Sequence, residues 1–276
     1  MQVITVSKQL GSLGDVVAAV VAREKGFRLV GPDQVHERAN SCDPEYSDAC
    51  TMYETERGPG FWERVFFDTP SYTALFKSLT YEFASEGKVV ITGRGSQLVL
   101  SDVPGVFCVR IVAPMRIRLQ RIAERYGVSL DRAADIVRKH DRERKALVES
   151  IFDHDDSDWA FYDMVLNTTH YSADGAAAVV IKAVDSMEQI PEPEDFKERL
   201  AAMALAKRLE TVIKKRLTPA ISWQIEVTGE PGGKMTLTGR VSDKRHKEQA
   251  GAIAQKYSGV TSVKNDIKII QFPWGY

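Results

Sequence analysis

The sequence predicts an α/β fold, a parallel sheet with helices on both faces, followed by a small α+β unit of order αββαβ. Three observations carry that expectation. The chain opens on a strand, a glycine turn and a helix, MQVITVSKQLGSLGDVVAAVVA. Short apolar, β-branched runs then alternate with amphipathic stretches to about residue 187, the pattern of crossover units in a parallel sheet. After PEPED at 191–195 the pattern changes and so does the charge: residues 1–190 sum to −6 and residues 191–276 to +5. Such a contrast marks a domain boundary. The expected division is 1–190, a linker at 191–199, and 200–272.

Each element has a local reason. Val3, Ile4 and Val6 read as a buried strand, Ser7 to Asp15 as a turn holding Gly11 and Gly14, and Val16 to Ala22 as an apolar helix,. This arrangement aims free backbone N–H groups and a helix N-terminus at an anion, most often a phosphate; an ordinary strand-to-helix turn reads the same way. The loop departs from G-x-x-x-x-G-K-[ST], with Leu13 for the last glycine, Gly14 for lysine and Asp15 near the hydroxyl position,. Phe27 to Val30 is a short strand, Gly31-Pro32-Asp33 a turn, and Gln34 to Ala39 the start of a helix. Residues 40–60 are polar and turn-rich, the pattern of a mobile surface segment. Trp62, Phe66 and Phe67 restore an apolar face, and 72–85 carries apolar residues at helical spacing.

Lys88 to Thr92 is the next buried strand and ends in Gly93-Arg94-Gly95. Val106 to Val112 follows, stopped by Pro114, which suits a helix start. The helix at 115–126 is rich in arginine, with Arg116, Arg118, Arg121 and Arg125, and Gly127 ends it. Ser129 and Asp131 introduce a helix over 130–150, and an acidic loop, DHDDSD, occupies 153–158. Met164 to Asn167 is a strand and 174–187 a helix. Beyond the linker come a helix at 195–217, strands near 221–227 and 234–241, a helix near 243–257 and a strand at 260–270.

At 276 residues, with 43% hydrophobic and 27% charged content, the chain has the composition of a soluble globular protein. No run approaches the roughly 18 apolar residues of a membrane span, and the N-terminus lacks a secretory pattern. Cys42, Cys50 and Cys108 form no C-x-x-C pair, which argues for a reducing cytoplasm. No nucleic-acid partner is expected. The acidic run Asp153, Asp155, Asp156, Asp158 with His154 lacks the glycine and terminal glutamate of an EF-hand and reads as a solvated loop.

Six pieces of sequence recur in one order: Ile4-Thr5-Val6-Ser7-Lys8-Gln9-Leu10-Gly11-Ser12, the Asp33 turn, Gly93-Arg94-Gly95, Pro114 with Arg118 and Arg121, Asp141-x-x-Arg144, and Tyr162-Asp163-x-x-x-Asn167-Thr168. Over residues 1–187 this order resembles the cytidylate kinase-like family of P-loop proteins. The resemblance implies a P-loop kinase-like sheet, ATP with Mg²⁺ as phosphate donor, and a pyrimidine nucleoside monophosphate as acceptor. It places Lys8, Gly11, Ser12 and Gly14 at the donor phosphates and Arg118 and Arg121 near ATP. Arg94, Asp33 and Asp141 fall on the acceptor, and Arg138 and Arg144 on a lid over the transferring phosphate. Arginine suits such work because its planar fork binds phosphate bidentately and stays charged. Arg94 also reads as a surface arginine in a tight turn, and the helical arginines also read as solvated basic faces.

Two positions depart from the family pattern. Lys8 stands where the family usually has arginine and is the only cation within Ser7–Asp15; Asp15 stands where many members carry arginine. A carboxylate there repels a phosphate unless a cation intervenes, although it favours the helix dipole. Asp15 therefore reads as structural and as a mark against efficient catalysis.

Gly239-Arg240-Val241, Ala250 to Ala254, and Gly259-Val260-x-x-Val263-x-Asn265-x-Ile267 resemble a BON domain. Such modules bind partners, often phospholipid surfaces. From Leu200 onward the charge is +7, compatible with an anionic lipid surface, an acidic protein partner, or a homo-oligomer. Three functions stay open: a nucleoside monophosphate kinase, a nucleotide sensor that has lost turnover and signals through the BON-like unit, and a scaffold.

Overall fold

The computed structural model describes residues 3–31, 33–35, 37–38, 69–93, 95–152, 154–155, 157–187, 194–217 and 224–270. The chain divides into two compact units, residues 1–35 with 86–192 and residues 36–85 with 193–276. Several sequence expectations lie outside the described residues: the 40–60 segment, Trp62, Phe66, Phe67, Arg94, Asp153, Asp156 and the 191–193 part of the linker.

The first unit is built on five parallel strands, β1 (Val3–Lys8), β2 (Arg28–Val30), β3 (Val89–Thr92), β4 (Val106–Val112) and β5 (Met164–Asn167), in the order β2-β3-β1-β4-β5. β1 lies at the centre, with Val6 opposite Thr92 of β3 and Val109 of β4. Its helices are α1 (Gly14–Lys25), α3 (Ser96–Val99), α4 (Met115–Tyr126), α5 (Leu130–Phe152) and α6 (Ala173–Asp185). Residues 33–35 of this unit are also helical, as are 37–38 of the second. Ile4, Val6, Val90, Val109, Ile111 and Leu166 bury one sheet face under Val17, Ala18 and Val21 of α1 and Ala176, Ala177 and Val180 of α6. β-Branched residues suit such doubly covered strands. Gly26 and Gly127 end α1 and α4 in the left-handed conformation at φ 63°, where a side chain is unfavourable.

The second unit contains α2 (Thr69–Glu86) up to Ser85, α7 (Phe196–Arg216), β6 (Glu226–Glu230), β7 (Lys234–Thr238), β8 (Arg240–Val241), α8 (Lys244–Gln255), β9 (Ser262–Asn265) and β10 (Lys268–Ile269). The expected αββαβ order holds, but each of the later strands is broken in two. β6, β7 and β9 form one sheet, and β8 pairs with β10 in another. Gly239 makes the first break: its φ is +124°, and a Cβ there would meet the Gln224 carbonyl oxygen at 2.1 Å. Leu209, Ile213, Ile225, Val227, Met235, Leu237 and Ile267 form its core.

α2 and α7 are joined by polar contacts. Ser78 Oγ donates to the Ala204 carbonyl at 2.9 Å, and Glu82 pairs with both Arg38 and Arg208. Glu210, 4% exposed, accepts from Lys207 and Lys214 at 2.6 Å each and from the Val227 amide at 3.0 Å. Among the described residues no helix is long and apolar enough to cross a membrane.

Candidate functional site

The loop between β1 and α1 is shaped by what presses on it. Gly11 has φ +81°, and a Cβ there would lie 2.9 Å from the Arg118 carbonyl oxygen of α4. A Cβ on Gly14 would lie 2.4 Å from Cβ of Lys8. Leu13, where the usual phosphate loop has glycine, takes the left-handed conformation at φ 70° and packs its side chain on the main core. That conformation costs a branched residue about 1 kcal/mol, which the packing offsets.

The loop carbonyls are gathered by α4 and the segment after β5. Arg118 donates to Leu10 O at 3.3 Å, Arg121 to Gly11 O at 3.3 Å, and Thr168 Oγ1 to Ser12 O at 2.8 Å. Arg121 also reaches Thr168 O at 2.8 Å and Thr168 Oγ1 at 3.0 Å; burial lowers its pKa. With these carbonyls held, the first N–H groups of α1, which have no intrahelical acceptor, define the anion-facing side. Ser12 is fully buried, and its Oγ has no hydrogen-bond partner among the described residues. A cavity of about 480 Å³ adjoins the loop, lined by Gln9, Gly11, Leu13, Asp15, Arg121 and Arg125 among others. The helix N-terminus and the cavity lie together at the loop, a setting suited to an anion; Ser12, fully buried, does not line the cavity.

Among the described residues the candidate cations have different surroundings. Lys8 Nζ is ion-paired with Asp15, so the two anomalous loop residues are partners. Arg118 is 4% exposed and forms a bidentate pair with Asp141, at 3.0 and 2.8 Å. The solvated-face alternative for Arg118 is thereby corrected: a guanidinium buried on the core side of α4 needs a carboxylate. Arg121 binds loop and Thr168 oxygens as described. Arg138 and Asp33 are exposed. Arg144 reaches the end of β1, where Nη2 donates to Ser7 Oγ at 2.9 Å.

A second group of side chains meets at the end of β1: Ser7 and Tyr162 belong to the motifs quoted above, whereas Arg110 and Gln97 carried no role in the sequence reading. Arg110 of β4, 7% exposed, donates to Ser7 Oγ at 3.2 Å and to Tyr162 OH at 2.9 Å, and Gln97 of α3 donates to Tyr162 OH at 3.1 Å. The available signal was one arginine inside the otherwise apolar run VFCVRIV. On the same sheet face, burial pushes the Cys108 thiol up to about 11, so it is a packing group and not a nucleophile. No cluster of three metal-ligating side chains occurs among the described residues. A Mg²⁺ ion here would be held chiefly by nucleotide phosphates, with Asp15 as the loop carboxylate, and would supply charge neutralisation.

A parallel sheet ending in a glycine loop and helix N-terminus, with arginines converging on the carboxyl edge, defines the P-loop kinase-like class of α/β proteins. Residues 3–170 match the model of the cytidylate kinase-like family, and the chain belongs to that family. Residues 204–271 match the BON domain. The chain is similar to the cytidylate kinase of Pyrococcus horikoshii, 28% identical over 118 residues, covering 43% of this chain and 60% of that one. It is similar as well to the cytidylate kinase of Archaeoglobus fulgidus, 25% identical over 183 residues, 66% of this chain and 94% of that one. The chain thus spans about 60% of the length of the Pyrococcus relative it matches. A crystal structure of an uncharacterized protein from Eubacterium ventriosum shares the fold at TM-score 0.53 and 21% identity, over 67% of this chain and 99% of that one.

Proposed function

We propose that the first unit binds a nucleotide, its phosphates against Gly11, Ser12 and Gly14 and its body in the adjoining cavity, and that it senses the nucleotide more than it turns it over. The observation that carries this reading is the Lys8–Asp15 ion pair. Phosphoryl transfer depends on cations that neutralise charge spreading over phosphate oxygens. Here the one cation of the loop is held by a carboxylate at the helix start. Loss of one such stabilising group costs several kcal/mol of transition-state energy, whereas binding through backbone N–H groups persists. The BON-like unit, with a charge of +7 from Leu200 onward, is the output, acting on an anionic surface or partner.

A second reading, ATP-dependent phosphorylation of a pyrimidine nucleoside monophosphate, is favoured by Arg144 and Arg110 converging at the end of β1. Calorimetry with ATP and CMP, with and without Mg²⁺, combined with a coupled phosphotransfer assay, separates the two. Binding with negligible turnover supports the sensor. Robust CMP phosphorylation establishes the enzyme, and silence toward both nucleotides leaves a scaffold.

A further inference from the structure

The central sheet ends on β5, which pairs with β4 on one side and, among the described residues, with no strand on the other. The opposite edge strand, β2, is blunted: Arg28 is ion-paired with Glu86 at 2.7 Å. Charges on an edge discourage the addition of a further strand. β5, Met164-Val165-Leu166-Asn167, carries neither charge nor proline. On the β1 side of β4, Ile111 O accepts from Gln9 N at 3.1 Å. Alternation therefore turns the Arg110 backbone toward β5. Across the Arg110–Val165 register this leaves the amide and carbonyl of Val165 facing outward,.

Three exposed apolar side chains mark this edge, and their spacing is symmetric. Val165 is 46% exposed; Trp159, six residues before it, is 77% exposed, and Tyr171, six residues after it, is 42% exposed. Tryptophan and tyrosine are the commonest anchors of protein interfaces. The polar residues next to Val165 are symmetric as well, with Asp163 two before and Asn167 two after. Asp163 Oδ2 accepts from the Cys108 amide at 2.7 Å, which leaves Oδ1. Asn167 Oδ1 accepts from Thr169 N and Oγ1 at 3.0 and 2.7 Å, which leaves Nδ2 to donate. A carboxylate accepting from an amide makes a charge-assisted bond.

We propose that this edge is the interface of a homodimer, in which two copies pair their β5 strands antiparallel about a two-fold axis through Val165. The pairing joins the two outward Val165 backbones by hydrogen bonds and brings their side chains to about 5 Å. The same axis sets Asp163 of each copy against Asn167 of the other, and Trp159 against Tyr171. A second copy fits because the pattern is its own complement under that rotation, as an isologous interface requires. Trp159, Val165 and Tyr171 expose on the order of 300 Å² per copy. In a pair they bring about half of the roughly 1,200 Å² at which specific dimers begin, and the strands and turns between them bring the rest. An antiparallel strand at the edge of an otherwise parallel sheet is common. Pairing at β5 does not depend on whether the loop holds a nucleotide.

Sedimentation velocity of the full chain, over about 1 to 200 μM, is expected to show a reversible monomer–dimer equilibrium. Val165→Lys puts like charges opposite each other at the axis and is expected to weaken the dimer about tenfold or more. Trp159→Ser removes the most exposed anchor and is expected to weaken it by a similar factor; it serves where Val165→Lys does not fold. Amide exchange at Val165 is expected to slow about tenfold between the dilute and the concentrated wild-type sample. A wild-type chain that stays monomeric over the whole range overturns the proposal. A dimer that withstands both substitutions also overturns it, as does one in which the Val165 amide exchanges equally fast at both concentrations, since the contact then lies elsewhere.

Discussion

Lys8, the last residue of β1, is ion-paired with Asp15, in the first turn of α1, across the loop that joins them. Gly14 lets the stem of Lys8 lie against the helix start, since a Cβ there would come within 2.4 Å of it. The pair places a positive and a negative charge where a phosphate tail would experience both.

Asp15→Asn is therefore expected to strengthen ATP binding roughly fivefold to tenfold, about 1 kcal/mol, by removing a like charge from the ligand's path. Lys8→Ala, which leaves Asp15 unpaired, is expected to weaken it by a similar factor. Calorimetry without Mg²⁺ checks both, and equal affinities for wild type and Asp15→Asn would remove the pair from any role in binding.

The Arg118–Asp141 pair has a different expected signature, in stability. Asp141→Ala leaves a buried guanidinium without its carboxylate and is expected to cost roughly 3 kcal/mol in urea unfolding. The double variant Arg118→Met/Asp141→Leu, apolar at both positions, is expected to recover most of that loss. Failure of the double variant to recover would show that the further bond from Arg118 to Leu10 O is what the fold needs.

Glu210 predicts a pH dependence. Burial alone would raise its pKa, but the ammonium groups of Lys207 and Lys214 and their hydrogen bonds hold it below its ordinary value. A carboxylate depressed in the folded state contributes stability that is fully present above its unfolded pKa, about 4.3, and lost as pH falls through the folded value. Glu210→Gln is expected to destabilise the second unit by roughly 3 kcal/mol at neutral pH and to flatten its acid unfolding below about pH 4.3. Circular dichroism melts across pH 3–7 of both proteins would check the sign.

α2 lies between β2 and β3 in sequence yet packs with α7 in the second unit. Glu82→Ala removes the carboxylate that Arg38 and Arg208 share and is expected to raise amide exchange about tenfold along α7 while leaving β1 and β4 protected. Unchanged exchange in α7 would show that the Glu82 ion pairs do not hold α2 to α7.

Much of the fold was legible locally. β4 at Val106–Val112 and β5 at Met164–Asn167 have the bounds that their apolar runs predict, because strand pattern and flanking breakers are properties of adjacent residues. The breaks at Gly239 and near Asp266 escaped that reading, since continuous apolar patterning does not reveal that a backbone carbonyl approaches Gly239. At the site, Gly11 and Ser12 stood out in the sequence. Arg110 did not, although an arginine inside a buried strand is itself a signal.

Short-range chemistry in the chain was enough to specify the alternating strands and helices, the glycine loop, and the basic character of the C-terminal part. Tertiary structure alone decided which group meets each charge: Lys8 with Asp15, Arg118 with Asp141 twenty-three residues away, Arg110 with the Tyr162 hydroxyl fifty-two away. The physical reason is that periodicity and backbone preference act between neighbours. The partner of a buried charge is set by which distant segments the sheet order brings to the same edge.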